Sequence, residues 1–123
     1  MKALTIIAHG SRAEAANSEF QQQVEAAKEH LKAHYSLINH CFLELAEPSM
    51  TEACEALVEQ GATSIDVYPL FFNQGRHVMR DIPALVDGAQ QAVHPTPVRQ
   101  FRYFGAGEQL AATIANDILN QAQ

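Results

Sequence analysis

The stretch Leu4-Thr5-Ile6-Ile7-Ala8-His9-Gly10-Ser11-Arg12 decides the fold class. Leu4 to Ala8 is a short, mostly apolar run of the length that suits a strand buried on both faces. A histidine, a glycine and two polar residues follow it directly. Ala13, Ala16, Phe20, Val24, Ala27 and Leu31 then recur at steps of three or four, which makes one helix face. A strand that passes through a short turn into a helix is the first half of a parallel crossover unit.

The rest of the chain continues this alternation. Leu37 to Leu45 reads as a second strand containing Cys41, Phe42 and Leu43. Ser49 with Glu52 three residues later is a capping-box pattern, Met50, Cys54, Leu57 and Val58 supply a helical stripe, and Gly61 sits where a left-handed cap belongs. Ser64 to Pro69 is a third strand, with Ile65 and Val67 on one face. Leu70 to Ile82 shows no clean period and reads as a connection on the order of a dozen residues, long enough to suggest function. Pro83 marks the start of a third helix carrying Leu85, Val86, Ala89 and Val93. Val98 to Phe104 forms a fourth strand, Gly105 and Gly107 break the chain, and Leu110, Ala111, Ile114, Ala115 and Ile118 make the last helical face. The predicted fold class is α/β, a three-layer α/β/α arrangement with a four-stranded parallel sheet, helices on both faces and right-handed crossovers.

Composition bounds the function. The 123 residues form one domain, 1–123, large enough to bury a core without disulfide or metal staples. A net charge of −6 and a pI near 5.4 argue against nucleic acid or an anionic membrane as the main partner, since both need a cationic face. No apolar run approaches the roughly 20 residues that span a bilayer, and Met1 to His9 lacks the length and cleavage pattern of a signal peptide, so the expected compartment is the cytoplasm. Cys41 and Cys54 form no C-x-x-C pair and are expected in the core. No P-loop pattern, no G-x-G-x-x-G after the first strand and no G-x-S-x-G elbow occurs, so no nucleotide is expected and a serine nucleophile has little support.

In an open parallel sheet, ligands bind outside the carboxyl ends of the strands. That rule selects Ala8-His9-Gly10-Ser11-Arg12, Leu43-Glu44-Leu45-Ala46-Glu47 and Asn73-Gln74-Gly75-Arg76-His77. His9, His77 and Glu44 thereby meet at one edge, and two imidazoles with a carboxylate suit Co²⁺, Ni²⁺ or Fe²⁺ with positions left open. Glu44 ends an apolar strand, where a carboxylate needs a partner; Glu47 precedes Pro48 and a capped helix, where its charge is favourable without any ligand. His30, His34, His40 and His94 fall away from this edge and are assigned to surface or packing roles. Three of the five arginines, Arg12, Arg76 and Arg80, fall in the site loops, where they suit an anionic, carboxylate-bearing ligand. The backbone N–H groups of Gly10, Ser11 and Gly75 are further candidate donors.

Ala8-His9-Gly10-Ser11-Arg12, Phe42-Leu43-Glu44-Leu45-Ala46-Glu47-Pro48-Ser49, and Val67-Tyr68-Pro69-Leu70-Phe71-Phe72 leading to Gly75-Arg76-His77-Val78 and Asp81-Ile82-Pro83 resemble the short, single-domain sirohydrochlorin chelatases of the class II tetrapyrrole chelatases. The resemblance covers nearly the whole chain, with the motifs in the family's order. It implies an ATP-independent enzyme that inserts a divalent metal, taken as a substrate, into sirohydrochlorin or a close relative in cobalamin or sirohaem biosynthesis, with cobalt first and nickel or iron as the others. It also implies that the chain is similar to one half of a longer chelatase and closes its cleft as a homodimer. By motif, the metal-binding histidines are His9 and His77, with Glu44 as the acidic position. Metallation must remove two pyrrole protons, so His9, His77 or Glu44 would serve as ligand and base together. Ser11, Arg12, Arg76 and Arg80 would meet the peripheral carboxylates, with Gly75 in the binding loop. Phe71 and Phe72 either pack on the macrocycle or belong to the core.

Two rival functions fit the same residues. A metal or tetrapyrrole carrier on the same fold would use them without turnover. Histidine phosphatases also carry His-Gly after a first strand, but they resemble Arg-His-Gly, and here position 8 is Ala.

Overall fold

The opening stretch forms β1 (Lys2–Ala8), which pairs in parallel with β2 (Leu37–Phe42) on one side and β3 (Ser64–Pro69) on the other in the computed structural model of the chain. The structure describes every residue apart from the side chains of Arg76, His77 and Met79. A short β4 (Val98–Gln100) lies beyond β3, so the sheet order is β2-β1-β3-β4, all parallel. As an inner strand with a neighbour on each side, β1 is buried from Ala3 to Ile7, and Ile7 sits level with Cys41 and Pro69.

The chain steps from β1 to β2 in one direction and from β2 through β3 to β4 in the other. Right-handed crossovers then put α1 (Glu14–Leu31) on one face and both α2 (Met50–Glu59) and α3 (Arg76–Val93) on the other. The larger core cluster accordingly joins Ile7, Cys41, Ile65 and Val67 of the sheet to Met50, Cys54 and Leu57 of α2 and Ile82, Val86 and Ala89 of α3. Beneath α1 a smaller cluster holds Leu4, Ile6, Phe20, Val24 and Phe42. At α2 the expected cap is complete: Ser49 N–H donates to Glu52 Oε1 at 2.9 Å and Glu52 N–H donates to Ser49 Oγ at 3.2 Å. Gly61 lies just past this helix with φ +109°, as its cap position requires.

Three boundaries and the packing of one helix differ from the sequence reading. The second strand stops at Phe42, not Leu45, because Phe42 N–H turns to the Pro48 carbonyl and the chain bends through Leu45 at φ 66°. The third helix begins at Arg76, seven residues before Pro83, so the dozen-residue loop shrinks to the segment between Pro69 and Arg76. Val78, Ile82 and Val86 sit one turn apart against the core, and their burial offsets the hydrogen bond that Pro83 cannot donate. The fourth strand ends at Gln100, and Phe104–Ala106 forms a 3-10 turn instead. Finally, α4 (Gln109–Ala122) is a helix as expected, but none of its residues is buried. The third layer is therefore uneven, with one helix on one face and two on the other.

Candidate active site at the carboxyl edge of the sheet

Pairing between β1 and β2 continues past their ends. Leu43 N–H donates to the Ala8 carbonyl at 2.8 Å and Glu44 N–H to the His9 carbonyl at 3.1 Å, which carries both side chains out of the sheet side by side. His9 Nε2 lies 3.4 Å from Glu44 Oε1, and the two side chains are 52% and 57% exposed, so the pair is reachable from solvent. The other ring nitrogen, Nδ1, is 3.1 Å from the Gly10 carbonyl, which accepts a hydrogen bond from Nδ1 when that nitrogen carries a proton. Gly10 adopts φ +94°, and a Cβ there would sit 1.8 Å from the Glu44 carbonyl oxygen. Only a residue without a side chain lets the loop cross this close to the second strand's continuation.

Ser11 and Asn17 fix the loop between Gly10 and α1. Asn17 accepts from Ser11 N–H at 3.0 Å through Oδ1 and donates to the Ser11 carbonyl at 2.8 Å through Nδ2, while Ser11 Oγ accepts from Ala13 N–H at 3.0 Å. The Ser11 N–H is thus already used, and so is that of Gly75, which donates to the Asn73 carbonyl at 3.1 Å. Neither is available as the anion donor expected from the sequence. The Ser11 O–H remains able to donate.

The two glutamates that the sequence left in competition separate in space. Glu44 faces His9 and lines a cavity of about 280 Å³ with Leu43, Asp81, Ala84 and Leu85. Glu47 lines a different groove with Glu14, Asn17, Ser18 and Gln21. Contrary to the expectation of a buried carboxylate, Glu44 lies beyond the strand and is open to water.

The two phenylalanines separate as well. Phe71 packs against the larger core cluster, whereas Phe72 is 66% exposed and meets Phe104 edge-on at 5.8 Å between ring centroids. Arg12 and Arg80 are exposed. The roles expected of His77 and Arg76 fall on side chains outside the described residues. Among the described residues no group of three metal-binding side chains forms, and the pair His9 and Glu44 is what the structure brings together. His30, His34 and His94 are exposed, while His40 packs edge-on against Phe20 and Phe42, where burial lowers its pKa.

Two features escaped the sequence reading. Asn17 shapes the His9 loop, and its only signal is a polar residue at the start of a helix, too common to stand out. Asp66 sits between Ile65 and Val67 in a strand, a visible anomaly. It accepts from Tyr35 O–H at 2.5 Å and takes two bonds from Arg99, Nε to Oδ1 at 2.9 Å and Nη2 to Oδ2 at 3.1 Å. Burial alone would raise the Asp66 pKa, but the Arg99 and Tyr35 hydrogen bonds and the charges of Arg99 and Lys2 together hold it below its ordinary value. Burial and the Asp66 carboxylate push the Tyr35 phenol up to about 12. This network lies on the α1 face of the sheet.

Residues 3–121 match the CbiX family. The chain belongs to the CbiX family. It is 42% identical over 83 residues to the sirohydrochlorin cobaltochelatase of Sulfolobus acidocaldarius, a match covering 68% of this chain and 64% of that protein. It is 30% identical over 118 residues to the sirohydrochlorin ferrochelatase of Priestia megaterium, covering 96% of this chain and 44% of that one. Among solved structures, the sirohydrochlorin chelatase SirB from Bacillus subtilis subspecies spizizenii in complex with cobalt superposes with a TM-score of 0.74 at 30% identity, covering 97% of this chain and 50% of SirB. A CbiX protein from Marinobacter aquaeolei superposes with a TM-score of 0.85 over 99% of this chain and 98% of that one, at 24% identity, and so shares the fold. This CbiX chain spans about half the length of SirB and less than two thirds of the two chelatases compared by sequence. Among the described residues no helix is long and apolar enough to cross a membrane.

Proposed function

We propose that this chain inserts a divalent metal, cobalt first and nickel or iron as alternatives, into sirohydrochlorin or a close relative, without a nucleotide. The observation that carries the reading is the His9 and Glu44 pair, 3.4 Å apart and open to solvent at the carboxyl end of β1. Insertion needs a lone pair to hold the partly dehydrated metal and a base to remove two pyrrole protons. His9 Nε2 supplies the first, and the Glu44 carboxylate beside it supplies the second. His77 is assigned as the second imidazole by the motif alone. Three motifs in family order and relatives named as cobalto- and ferrochelatases support the substrate class.

The substrate is a large flat ring with carboxylates on its rim. Phe72 offers an exposed aromatic surface, and Arg12, Arg80, Arg76 and the Ser11 hydroxyl supply donors for carboxylates. A single sheet edge provides one wall for such a ring. A second copy of the chain, in a homodimer, supplies the other, in keeping with relatives about twice as long.

The test is metallation of sirohydrochlorin followed by absorbance, with Co²⁺, Ni²⁺ and Fe²⁺ in turn. Many turnovers per chain are expected, with His9→Ala and Glu44→Gln each slowing insertion at least about 100-fold. One turnover per chain with retained product would instead make it a carrier. Insertion by both variants at the wild-type rate would refute the assignment of the pair.

A further inference from the structure

Leu45 holds a backbone conformation that a leucine rarely adopts. Among the described residues three positions lie in the left-handed region: Gly10 at φ +94°, Leu45 at φ 66° and Gly61 at φ +109°. Glycine takes this conformation freely and asparagine at little cost, whereas the Cβ of a leucine crowds the following carbonyl oxygen. Two of the three positions carry the residue that the backbone favours, and the third does not.

The bend itself is set by the chain on either side. Glu44 N–H donates to the His9 carbonyl at 3.1 Å and Phe42 N–H to the Pro48 carbonyl at 2.9 Å, so the chain must leave the sheet and return between Leu43 and Glu47. Within that span Leu43 packs against the larger core cluster and Ala46 against the smaller one. Leu45, between them, is 51% exposed. The fold therefore uses the bend and gains little from the leucine side chain, and asparagine would give the same bend with less strain. Backbone strain that the surroundings hold in place gathers at ligand-binding sites.

Position points the same way. Among the described residues the exposed large hydrophobics are Met1 at the start of the chain, Ile114, Ile118 and Leu119 on α4, and Leu45 and Phe72. The last two lie at the carboxyl edge of the sheet, Leu45 after β2 and Phe72 after β3, on either side of β1 and the His9 that follows it. Leu45 is also the residue next to Glu44.

We propose that Leu45 bears on the face of the tetrapyrrole, across the His9 and Glu44 pair from Phe72, and holds the ring with its pyrrole nitrogens over that pair. Carboxylates on the rim fix how the ring is turned. Its distance from the pair needs a contact on the face, and proton removal at the ring centre depends on that distance. A ring centred on Glu44 extends outward by whole pyrrole units and so covers the adjacent residue. Apolar surface of both the ring and the leucine then leaves water, which makes the contact favourable.

This inference rests on the tetrapyrrole reading proposed above, and its test keeps the two apart. Leu45→Asn suits the left-handed bend and removes the apolar contact, and Leu45→Met retains an apolar chain of similar volume. Metal-free sirohydrochlorin is titrated into each full chain in the absence of metal and followed by absorbance, with urea denaturation of the same proteins. Leu45→Asn is expected to bind at least about tenfold more weakly than wild type, and Leu45→Met less than about threefold more weakly. The urea midpoint of Leu45→Asn is expected to be no lower than that of wild type, the opposite of what loss of a packing leucine gives. Wild type that fails to bind metal-free sirohydrochlorin would overturn both the tetrapyrrole reading and the role of Leu45. Wild type that binds, beside a Leu45→Asn variant that binds as tightly, would overturn the role of Leu45 alone. A lowered urea midpoint for Leu45→Asn, or a change in its mass by light scattering, would place the leucine in the fold or against a second copy and overturn that role as well.

Discussion

Gly10→Ala tests the claim that backbone geometry, not a side-chain contact, places Glu44 beside His9. Two costs add at this position. An alanine at φ +94° incurs the left-handed penalty of about 1–2 kcal/mol. Its Cβ would also lie 1.8 Å from a main-chain carbonyl oxygen that cannot rotate away, so the loop or the Glu44 peptide must move by more than an ångström. Overpacking of that kind costs roughly a further 1–3 kcal/mol, for a total of about 2–5. Gly61 is the internal control. Its φ of +109° carries the same left-handed penalty, but the nearest atom to its Cβ is the flexible end of Met1 at 3.6 Å, so Gly61→Ala should cost about 1–2 kcal/mol. Urea denaturation of the two variants, with m-values checked for constancy, measures the difference. Because the displaced carbonyl belongs to Glu44, Gly10→Ala should also slow metal insertion by at least about tenfold, and Gly61→Ala should not. Equal destabilisation of the two variants to within about 0.5 kcal/mol would refute the reasoning.

The core and the buried charge carry further expectations. Ile82→Ala should cost about 2–5 kcal/mol in urea denaturation, because Ile82 is fully enclosed between α3 and the sheet; a loss under about 1 kcal/mol would mean that the helix does not begin before Pro83. The folded-state pKa of Asp66 is depressed, so its ionised pairing with Arg99 and Tyr35 contributes stability that is fully present above about pH 4 and lost as pH falls through the lower folded value. The stability gap between wild type and Asp66→Asn, followed by urea melts from pH 6 downward, should therefore shrink on acidification, and a gap independent of pH would contradict the pairing. Burial pushes the Cys41 and Cys54 thiols up to about 12 and 11, so a thiol-directed chromophore at pH 8 should label neither until the chain unfolds.

Much of the fold was legible from local pattern. The apolar run at Leu4 to Ala8, the capping box at Ser49 and Glu52 and the left-handed glycine at Gly61 are features whose cause lies within a few residues, and each occurs where the sequence puts it. The start of α3 was misread because Pro83 is a strong local stop signal, while the burial that overrides it depends on Val78, Ile82 and Val86 meeting a sheet made from distant strands. The end of β2 was misread because Leu43 and Leu45 continue the apolar pattern after the ladder has turned toward Pro48.

At the site, the sequence alone singled out His9 and Glu44, since both lie at the carboxyl ends of strand runs and parallel strands deliver those ends to one edge. Their 3.4 Å separation was beyond it, because that depends on the register of β1 against β2 and on a glycine that lets one loop cross another. The same holds for the separation of Glu44 from Glu47 and of Phe71 from Phe72. Neighbours in the chain share composition and context, and only the bend of the backbone sends one side chain to the site and the other elsewhere. The amphipathic stripe of α4 was likewise plain in the sequence. Where that helix leaves the sheet was decided by the anchored turn at Gly105, a contact with the Phe72 loop that joins segments far apart in the chain. Periodicity, caps and strand order are set by short-range chemistry and can be read along the chain; register, close approach and which surface stays open are set by pairs of residues that meet only when the sheet forms.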